Sequence, residues 1–479
     1  MLVTAPVGID DGPVNPDDRE ARIEHDSLGM IAVPPQALWK AQTQRAVQNF
    51  PISGETVPPS IIRALGLIKE CAAAVNVRLG TVPREMGEAV AVAAGAIAAG
   101  KHADQFPVDV FQTGSGTSTN MNVNEVIATL AERETGHPVH PNDVVNASQS
   151  SNDVFPTALH VAALLAIDAQ LLPTLHELSS ALRLRAAEHA NTVKAGRTHL
   201  VDAAPVTLGA ELGGYATAIE NGIERLRATY PRMCQLAIGG TAVGTGLNAP
   251  PGFGAAVADE LAARTGIDFV EAADHFEAQG SRDAIVELSG QLRVLAISLT
   301  KICDDLRWMA SGPTTGLAEI ALPVLQPGSS IMPGKVNPVV LEAVLQVAAS
   351  VIGDDATIAW AGARGNFELN VMMPVMGRAL LGSIHRLDGA VALLTHSCIE
   401  GFTVDTARLL QYAANSPAVV TPLATRLGYD EAAAIVKEAS QQHRPIRDVV
   451  IERGHIATGR LSLAELDQLL DITAMARGD

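Results

Sequence analysis

The chain has 479 residues, of which 47% are hydrophobic and 18% charged, a balance that excludes a disordered protein. Its formal net charge is -18, and without a basic run it is not expected to bind nucleic-acid phosphates. A small anionic substrate stays possible, because salt screens charges outside a pocket. Only 3% of the residues are aromatic, so we expect an aliphatic, alanine-rich core of closely packed helices.

The cysteines lie far apart and show no Cys-x-x-Cys spacing; they are Cys71, Cys234, Cys303 and Cys398. This pattern favours reduced thiols in a cytoplasmic protein over a zinc site or a disulfide framework. The N-terminus lacks a basic region followed by an apolar core, so no secretory signal is predicted. We find no uninterrupted apolar run of the roughly 18 residues that a membrane span needs.

Residues 1–20 are rich in Asp, Pro and Gly and are predicted to form a flexible leader. Residues 21–147 form a predicted N-terminal, mainly helical domain, with helical patterns over 59–79 and 83–99. The segment Gln112–Glu125 is dense in small polar residues but lacks the Gly-Lys-Ser/Thr ending of a phosphate-binding loop. We interpret it as a turn that enters a helix.

Residues 148–406 form a predicted central bundle of long helices, and 407–479 a small C-terminal helical domain. Apolar residues spaced alternately by three and four from Ile285 to Leu306 form a heptad seam. Val286, Val294 and Ile297 form a second stripe, so this helix is expected to contact more than one neighbour. The glycine-rich segment 239–246 does not follow a convincing strand, which disfavours dinucleotide binding there.

The segment Gly328–Pro338 carries two hydroxyls, an ammonium and an amide between glycines and prolines. Such a segment is a loop and not a helix interior or a central strand. It suits the binding of an anion and the transfer of a proton, or it is an ordinary connector before a helix capped by Asn337. His199 lies in a loop between helical patterns, where a lone histidine is more often structural than catalytic. Glu342 lies in the first turns of the following helix. Its negative charge either stabilises the N-terminus of that helix or orients a histidine.

This loop resembles the signature of the fumarase/aspartase superfamily, which reads Gly-Ser-Ser, two residues, Pro, one residue, Lys, one residue, Asn. The resemblance covers nearly the whole chain from Arg22 and is closest to the class II fumarase branch. The similar segments are 22–26, 41–45, 49–54, 113–117, 196–199 and 365–371. At the last of these, related aspartases tend to carry Gln-Leu-Gln-Leu-Asn, which favours a hydratase over an ammonia-lyase.

The resemblance implies an all-α, three-domain fold in which long central helices form the core of a homotetramer. It implies the reversible hydration of fumarate to L-malate, a step of the tricarboxylic acid cycle, without a metal or another cofactor. Each active site is implied to be shared by three subunits. Ser329 matches the base, and His199, supported by Glu342, matches the residue tied to the second proton transfer. The implied substrate-binding residues are Ser115, Gly116, Thr117, Ser150, Ser151, Asn152, Thr198, Ser330, Lys335, Val336 and Asn337.

A secondary dicarboxylate site is implied at His140, Pro141, Asn142 and Asp143.

The main reaction gives an aci-carboxylate with two negative charges on one group, so donors must converge there, each lowering the barrier by roughly 3 kcal/mol. A neutral serine is too weak a base, so Ser329 must act nearly as an alkoxide. Two alternatives stay open, namely an aspartate ammonia-lyase and a helical scaffold that has lost catalysis.

Overall fold

The structure is a computed structural model that describes residues 21–328, 330–442 and 444–478. The predicted leader, residues 1–20, lies outside the described residues. Helices dominate the described chain, and the prediction of an all-α fold is confirmed. They are α1 (Ala41–Asn49), α2 (Pro59–Arg78), α3 (Arg84–Ala98), α4 (Thr117–Thr135), α5 (Ser151–Ala166), α6 (Leu172–Glu188), α7 (Leu208–Ala228), α8 (Tyr230–Met233), α9 (Phe253–Thr265), α10 (His275–Gly280), α11 (Asp283–Met309), α12 (Val339–Gly362), α13 (Met373–Leu394), α14 (Thr406–Asn415), α15 (Ala424–Leu427), α16 (Tyr429–Gln442), α17 (Ile446–Glu452), α18 (Leu463–Leu469) and α19 (Ile472–Arg477).

Short strands pair two by two in the described residues. They are β1 (Arg22–Asp26), β2 (Gly29–Val33), β3 (Val193–Thr198), β4 (Val201–Thr207), β5 (Gln235–Leu236), β6 (Val270–Glu271), β7 (Ile320–Ala321), β8 (Gly365–Asn366), β9 (Leu369–Asn370) and β10 (Thr403–Val404). The longest pair is the antiparallel hairpin β3–β4. Its two turn residues, His199 and Leu200, both have positive φ, 56° and 59°, as a two-residue hairpin turn of type I′ requires.

The chain divides into two compact units. Of the described residues, the first comprises 21–169, 227–290 and 353–385, and the second comprises those within 170–226, 291–352 and 386–478. The three-domain division stays a prediction.

In the first unit, α2 packs against α3, α5 and α9, and α4 packs against α1 and α3. Small residues let α2 and α3 approach closely. A Cβ added at Gly66 would lie 2.6 Å from the backbone nitrogen of Ala98, and one at Gly87 would lie 2.2 Å from a methyl group of Val77. This is the close, alanine-rich helix packing that the composition predicts.

In the second unit, the hairpin β3–β4 packs against α14 and α19. The residues from 423 to 466 hold a small apolar core of their own, formed by Leu423, Leu427, Ile435, Ala439, Val449, Val450, Leu461 and Leu466.

The heptad seam of α11 is buried as predicted, from Ile285 at 0% exposed to Leu306 at 0%. The second stripe is not covered in a single chain, because Ile297 is 53% exposed and Val286 and Val294 are only half-buried.

One helical stretch in the described residues, Ser151–Glu188, is long and apolar enough by composition to cross a membrane. Its apolar window has a mean hydropathy of 1.6, and 56% of that window is buried. Polar residues such as Thr157 and His160 interrupt the stretch, so it contains no uninterrupted apolar run of about 18 residues. A mostly buried stretch of this kind is typical of the core helix of a soluble fold and is weak evidence for a membrane span.

Candidate active site

Three hydroxyl groups meet in the first unit, where α4 and α5 begin. The Oγ of Ser115 and the Oγ1 of Thr117 lie 2.7 Å apart, and the Oγ1 of Thr117 lies 2.7 Å from the Oγ of Ser151. The structure therefore joins two predicted site segments that are 34 residues apart in the chain. Hydroxyls are both donors and acceptors, so this chain can turn its hydrogens towards a bound carboxylate.

Gly116 makes this arrangement possible. It has φ 75° at the N-terminus of α4, where a side chain is strained. A Cβ built on it would lie 2.3 Å from the ring of Phe155, which is fully buried on α5. The absence of a side chain therefore lets the two helix N-termini approach each other.

The N-terminus of α5 is capped by its own side chains. Ser150 accepts a hydrogen bond from the backbone N–H of Asn152 and donates its own N–H to Asp153 at 2.9 Å. This is a capping box with Asp in place of Glu. It leaves the side chains of Ser151 and Asn152 at the positive end of the helix dipole, a position that favours an anion.

Asp153 also joins this helix end to the glycine-rich segment 239–246. Its carboxylate accepts the backbone N–H groups of Gly239 at 3.1 Å and Thr241 at 2.9 Å, and Asn152 donates to the carbonyl of Ala242 at 2.8 Å. Burial raises the pKa of Asp153 to about 6, although three backbone N–H donors oppose this shift. Sequence reasoning disfavoured dinucleotide binding at the glycines but missed this role, since no local pattern links residues 86 positions apart.

The second unit presents Thr198 and His199 at the tip of the hairpin β3–β4. Both side chains are exposed. The base of the hairpin is fixed by a buried ion cluster around Glu319, which is 0% exposed. Glu319 pairs with Arg197 at 2.6 Å and with Lys194 at 3.2 Å, and Lys194 also pairs with Glu211 at 2.7 Å. Sequence reasoning missed Glu319, which lies 122 residues from Arg197.

The signature loop also lies in the second unit. Ser329 lies outside the described residues. The loop is closed at its base, because the side-chain amide of Asn337 donates to the carbonyl of Gly328 at 2.5 Å. A Cβ on Gly328 would lie 1.9 Å from the carbonyl oxygen of Lys335, so only glycine permits this closure. The outer part faces solvent, and Ile331 is 82% exposed; Ser330, Lys335 and Val336 are exposed as well.

Glu342 is half-buried in the first turn of α12. Among the described residues of this chain, no hydrogen bond or ion pair joins Glu342 to His199. The predicted site residues of one chain belong to three groups. They are the hydroxyl cluster of the first unit, the hairpin tip, and the signature loop with the start of α12.

Three of the four predicted secondary dicarboxylate residues border a cavity of about 490 Å³ in the first unit. His140 pairs with Asp143 at 3.2 Å, and both side chains are mostly exposed. His140, Pro141 and Asn142 line the cavity together with Glu24, Asp26, Lys40, Glu125 and Glu132. The four carboxylates outnumber the one lysine, which itself pairs with Glu132 at 2.8 Å. This excess of carboxylates disfavours the binding of a dianion, and the secondary site stays a prediction.

The described residues contain no group of three or more His, Cys, Asp or Glu side chains that is arranged to hold a metal ion. The four cysteines are free and buried. Burial raises the pKa of Cys71 to about 12 and that of Cys234 to about 11, so these thiols are poor nucleophiles and poor ligands at neutral pH.

Comparison with known proteins extends over nearly the whole chain. A family profile described as lyase matches residues 29–353, and one described as the fumarase C C-terminus matches residues 419–477. The chain is 57% identical to a class II fumarate hydratase of Mycobacterium tuberculosis, over 97% of this chain and 98% of that protein. It is 53% identical to one of Corynebacterium efficiens, over 96% and 98%. Among solved structures, it resembles a class II fumarase from Schistosoma mansoni with a TM-score of 0.92 and 35% identity, over 95% of this chain and 99% of that one.

Proposed function

The chain belongs to the class II fumarate hydratase family, and from this membership we propose how its residues catalyse the reversible addition of water to fumarate to give L-malate. The observation that carries the assignment is the 57% identity to a fumarate hydratase over 97% of this chain. The hydroxyl cluster of Ser115, Thr117 and Ser151 supports it, because hydrogen bonds link three residues that the resemblance assigns to substrate binding.

The first unit binds one carboxylate of the substrate. Its hydroxyls, the amide of Asn152 and the N-terminus of α5 together offer neutral donors and a favourable dipole.

The signature loop supplies the base and further donors. In the dehydration direction, the alkoxide of Ser329 takes the proton from the carbon beside one carboxylate, whose electrons collect on that group as the aci-carboxylate. Lys335 and Asn337 stabilise this doubly charged group. The C–O bond at the neighbouring carbon then breaks, and the departing hydroxide takes a proton from His199, directly or through a water, and leaves as water. Hydration is the reverse sequence.

The active protein is a homotetramer in which each site takes its residue groups from three chains. Two features of the single chain support this. No hydrogen bond or ion pair joins His199 to Glu342 among the described residues, although the resemblance implies that Glu342 supports His199 in the proton transfer. Large apolar side chains on the long helices also lie uncovered, since Trp308 is 52% exposed, Trp360 62% and Ile352 43%. Apolar surface of this kind marks an interaction site.

A cytoplasmic location is proposed from the four free thiols, which suit a reducing compartment. The domain boundaries at 147/148 and 406/407 and the secondary dicarboxylate site belong to the same proposal.

The test is to incubate the purified protein with fumarate, with and without ammonium, and to identify the products. Malate formed without ammonium is the expected result, and product that requires ammonium would reassign the protein as an ammonia-lyase. Ser329→Ala is expected to lower kcat by roughly several hundredfold with the oligomer intact. Retained turnover in that variant would refute the assignment of the base.

A further inference from the structure

Lys69 is a buried cation with no role in the mechanism described so far. It lies on α2 and is 0% exposed. Lysine is almost never fully buried unless it is paired. Yet in the part of the chain that the structure describes, no carboxylate forms an ion pair with its ammonium. Its Nζ instead donates to two neutral amide oxygens, the Oδ1 of Asn146 and the Oε1 of Gln149, each at 3.3 Å.

These two acceptors belong to the turn that leads directly into α5. The side-chain amide of Asn146 donates to the carbonyl of Gln149 at 3.1 Å, and that of Gln149 donates to the carbonyl of Ala147 at 3.0 Å. The next residue, Ser150, caps α5, and Ser151 and Asn152 follow it. Any displacement of Asn146 or Gln149 is therefore passed on within a few residues to the proposed substrate-binding side chains.

The same turn is held to α2 and α4 by other buried polar groups. Ser148, with φ 62°, donates to Asn76 of α2 at 2.7 Å. Asn120 and Asn124 of α4 each donate to the Oδ1 of Asn146 at 3.2 Å. Lys69 is the charged member of this network.

Burial of the positive charge of Lys69 is unfavourable for folding. Removal from water lowers the pKa of Lys69 to about 7, opposed by the attraction of Asp153. Asp153 is itself fully buried, and burial raises its pKa to about 6. Two buried groups that both resist ionisation at one helix N-terminus are more typical of a functional site than of a structural core.

We propose that Lys69 is a positioning residue of the hydratase site. Its ammonium holds Asn146 and Gln149 so that Ser150, Ser151 and Asn152 present their donors to a substrate carboxylate, and its buried charge favours a dianion there. The charge acts at a distance because the protein interior screens it far less than salt water does. This inference rests on the proposed function and adds a residue to the same site.

The test compares Lys69→Met, which keeps the length of the side chain and removes its charge, with Lys101→Met, in which an exposed lysine of the same unit is replaced. In Lys69→Met, which loses a charged donor, the KM for fumarate should rise about tenfold or more above that of wild type. The kcat of this variant should change by less than about threefold. Lys101→Met should match wild type. A wild-type enzyme that does not hydrate fumarate would refute the proposed function. An active wild type with equal KM in both variants would refute only the role of Lys69.

Binding of two inhibitors separates this role from a merely structural one. Succinate carries two charges and its monoamide, succinamate, carries one. Lys69→Met should weaken succinate binding more than succinamate binding, whereas an equal loss for both would overturn the electrostatic part of the proposal.

If Lys69→Met does not fold, Gln149→Met removes one acceptor and leaves the charge. It should raise KM for fumarate and weaken both inhibitors by the same factor. A folded Gln149→Met enzyme with the KM of wild type would overturn the positioning role.

Discussion

Two glycines at the ends of α4 provide a matched pair of substitutions. Gly116 precedes the helix with φ 75°, and Gly136 follows it with φ 70°. An alanine at either position carries the same backbone strain of about 1–2 kcal/mol in the left-handed region. They differ in space, because a Cβ on Gly116 meets three ring atoms of Phe155 at 2.3, 2.4 and 2.6 Å, whereas a Cβ on Gly136 meets nothing within 4 Å.

The contact with Phe155 sets the expected difference. Phe155 is 0% exposed, so its ring cannot move towards solvent, and overpacking of a core costs about 1–3 kcal/mol. Gly116→Ala should therefore be destabilised by about 2–5 kcal/mol in total, and Gly136→Ala by about 1–2 kcal/mol. Gly116 also lies between Ser115 and Thr117, whose hydroxyls it sets in place. A misplacement of about 1 Å there lowers kcat by about a hundredfold.

The assays are the denaturant midpoint of unfolding and the rate of fumarate hydration, each measured for both variants beside wild type. Gly116→Ala should lose both stability and activity, while Gly136→Ala should keep its activity within about twofold. Equal loss of stability in the two variants, with activity unchanged in both, would refute the close approach of α4 and α5 at the site.

Three further predictions concern other parts of the chain. Glu319→Gln removes the buried charge that pairs with Arg197 and should lower the free energy of unfolding by about 3 kcal/mol. It should also lower kcat, because the hairpin that carries His199 is held less firmly. An unfolding midpoint equal to that of wild type would contradict this. The Nδ1 of His160 donates to the carbonyl of Met233 at 2.9 Å, and removal from water lowers the pKa of His160 from 6.5 to about 4. As the pH falls, the unfolded chain is therefore protonated at this residue before the folded protein is. The free energy of unfolding should fall by about 3 kcal/mol between pH 6.5 and 4. Unfolding midpoints measured against pH should lack this loss in His160→Gln. The four buried thiols should react with an aromatic disulfide reagent only after unfolding, and rapid labelling of the native protein would show that they are accessible.

The sequence predicted those parts of the fold that depend on local spacing. The heptad seam from Ile285 to Leu306 is buried throughout, because spacings of three and four place side chains on one face of any helix. Ile297 was expected to be covered as well, and it is 53% exposed in a single chain. A stripe shows that a face needs a partner and does not show which chain provides it.

The candidate site was predicted only in part. Resemblance led to Ser115, Thr117 and Ser151, which the structure joins. It did not lead to Glu319 or Lys69, whose roles depend on contacts with residues more than 70 positions away. Sequence reasoning placed His199 in a loop between helices, and the structure places it at the turn of a hairpin. The strands β3 and β4 contain Gly196 and Pro205, which are disfavoured in strands, and their turn lacks the usual Asn-Gly pair, so no local signal indicated them.

We propose that different copies of the chain complete each active site. Thr117→Val removes a donor from the first unit, Lys335→Ala disables the signature loop, and each alone should leave about 1% of wild-type activity or less. When the two variants are mixed in equal amounts, unfolded and reassembled, a site built from different chains receives both intact groups in about one case in four. The predicted result is recovery of about a quarter of wild-type fumarate hydration. Reassembled protein that stays as inactive as the separate variants would contradict this proposal.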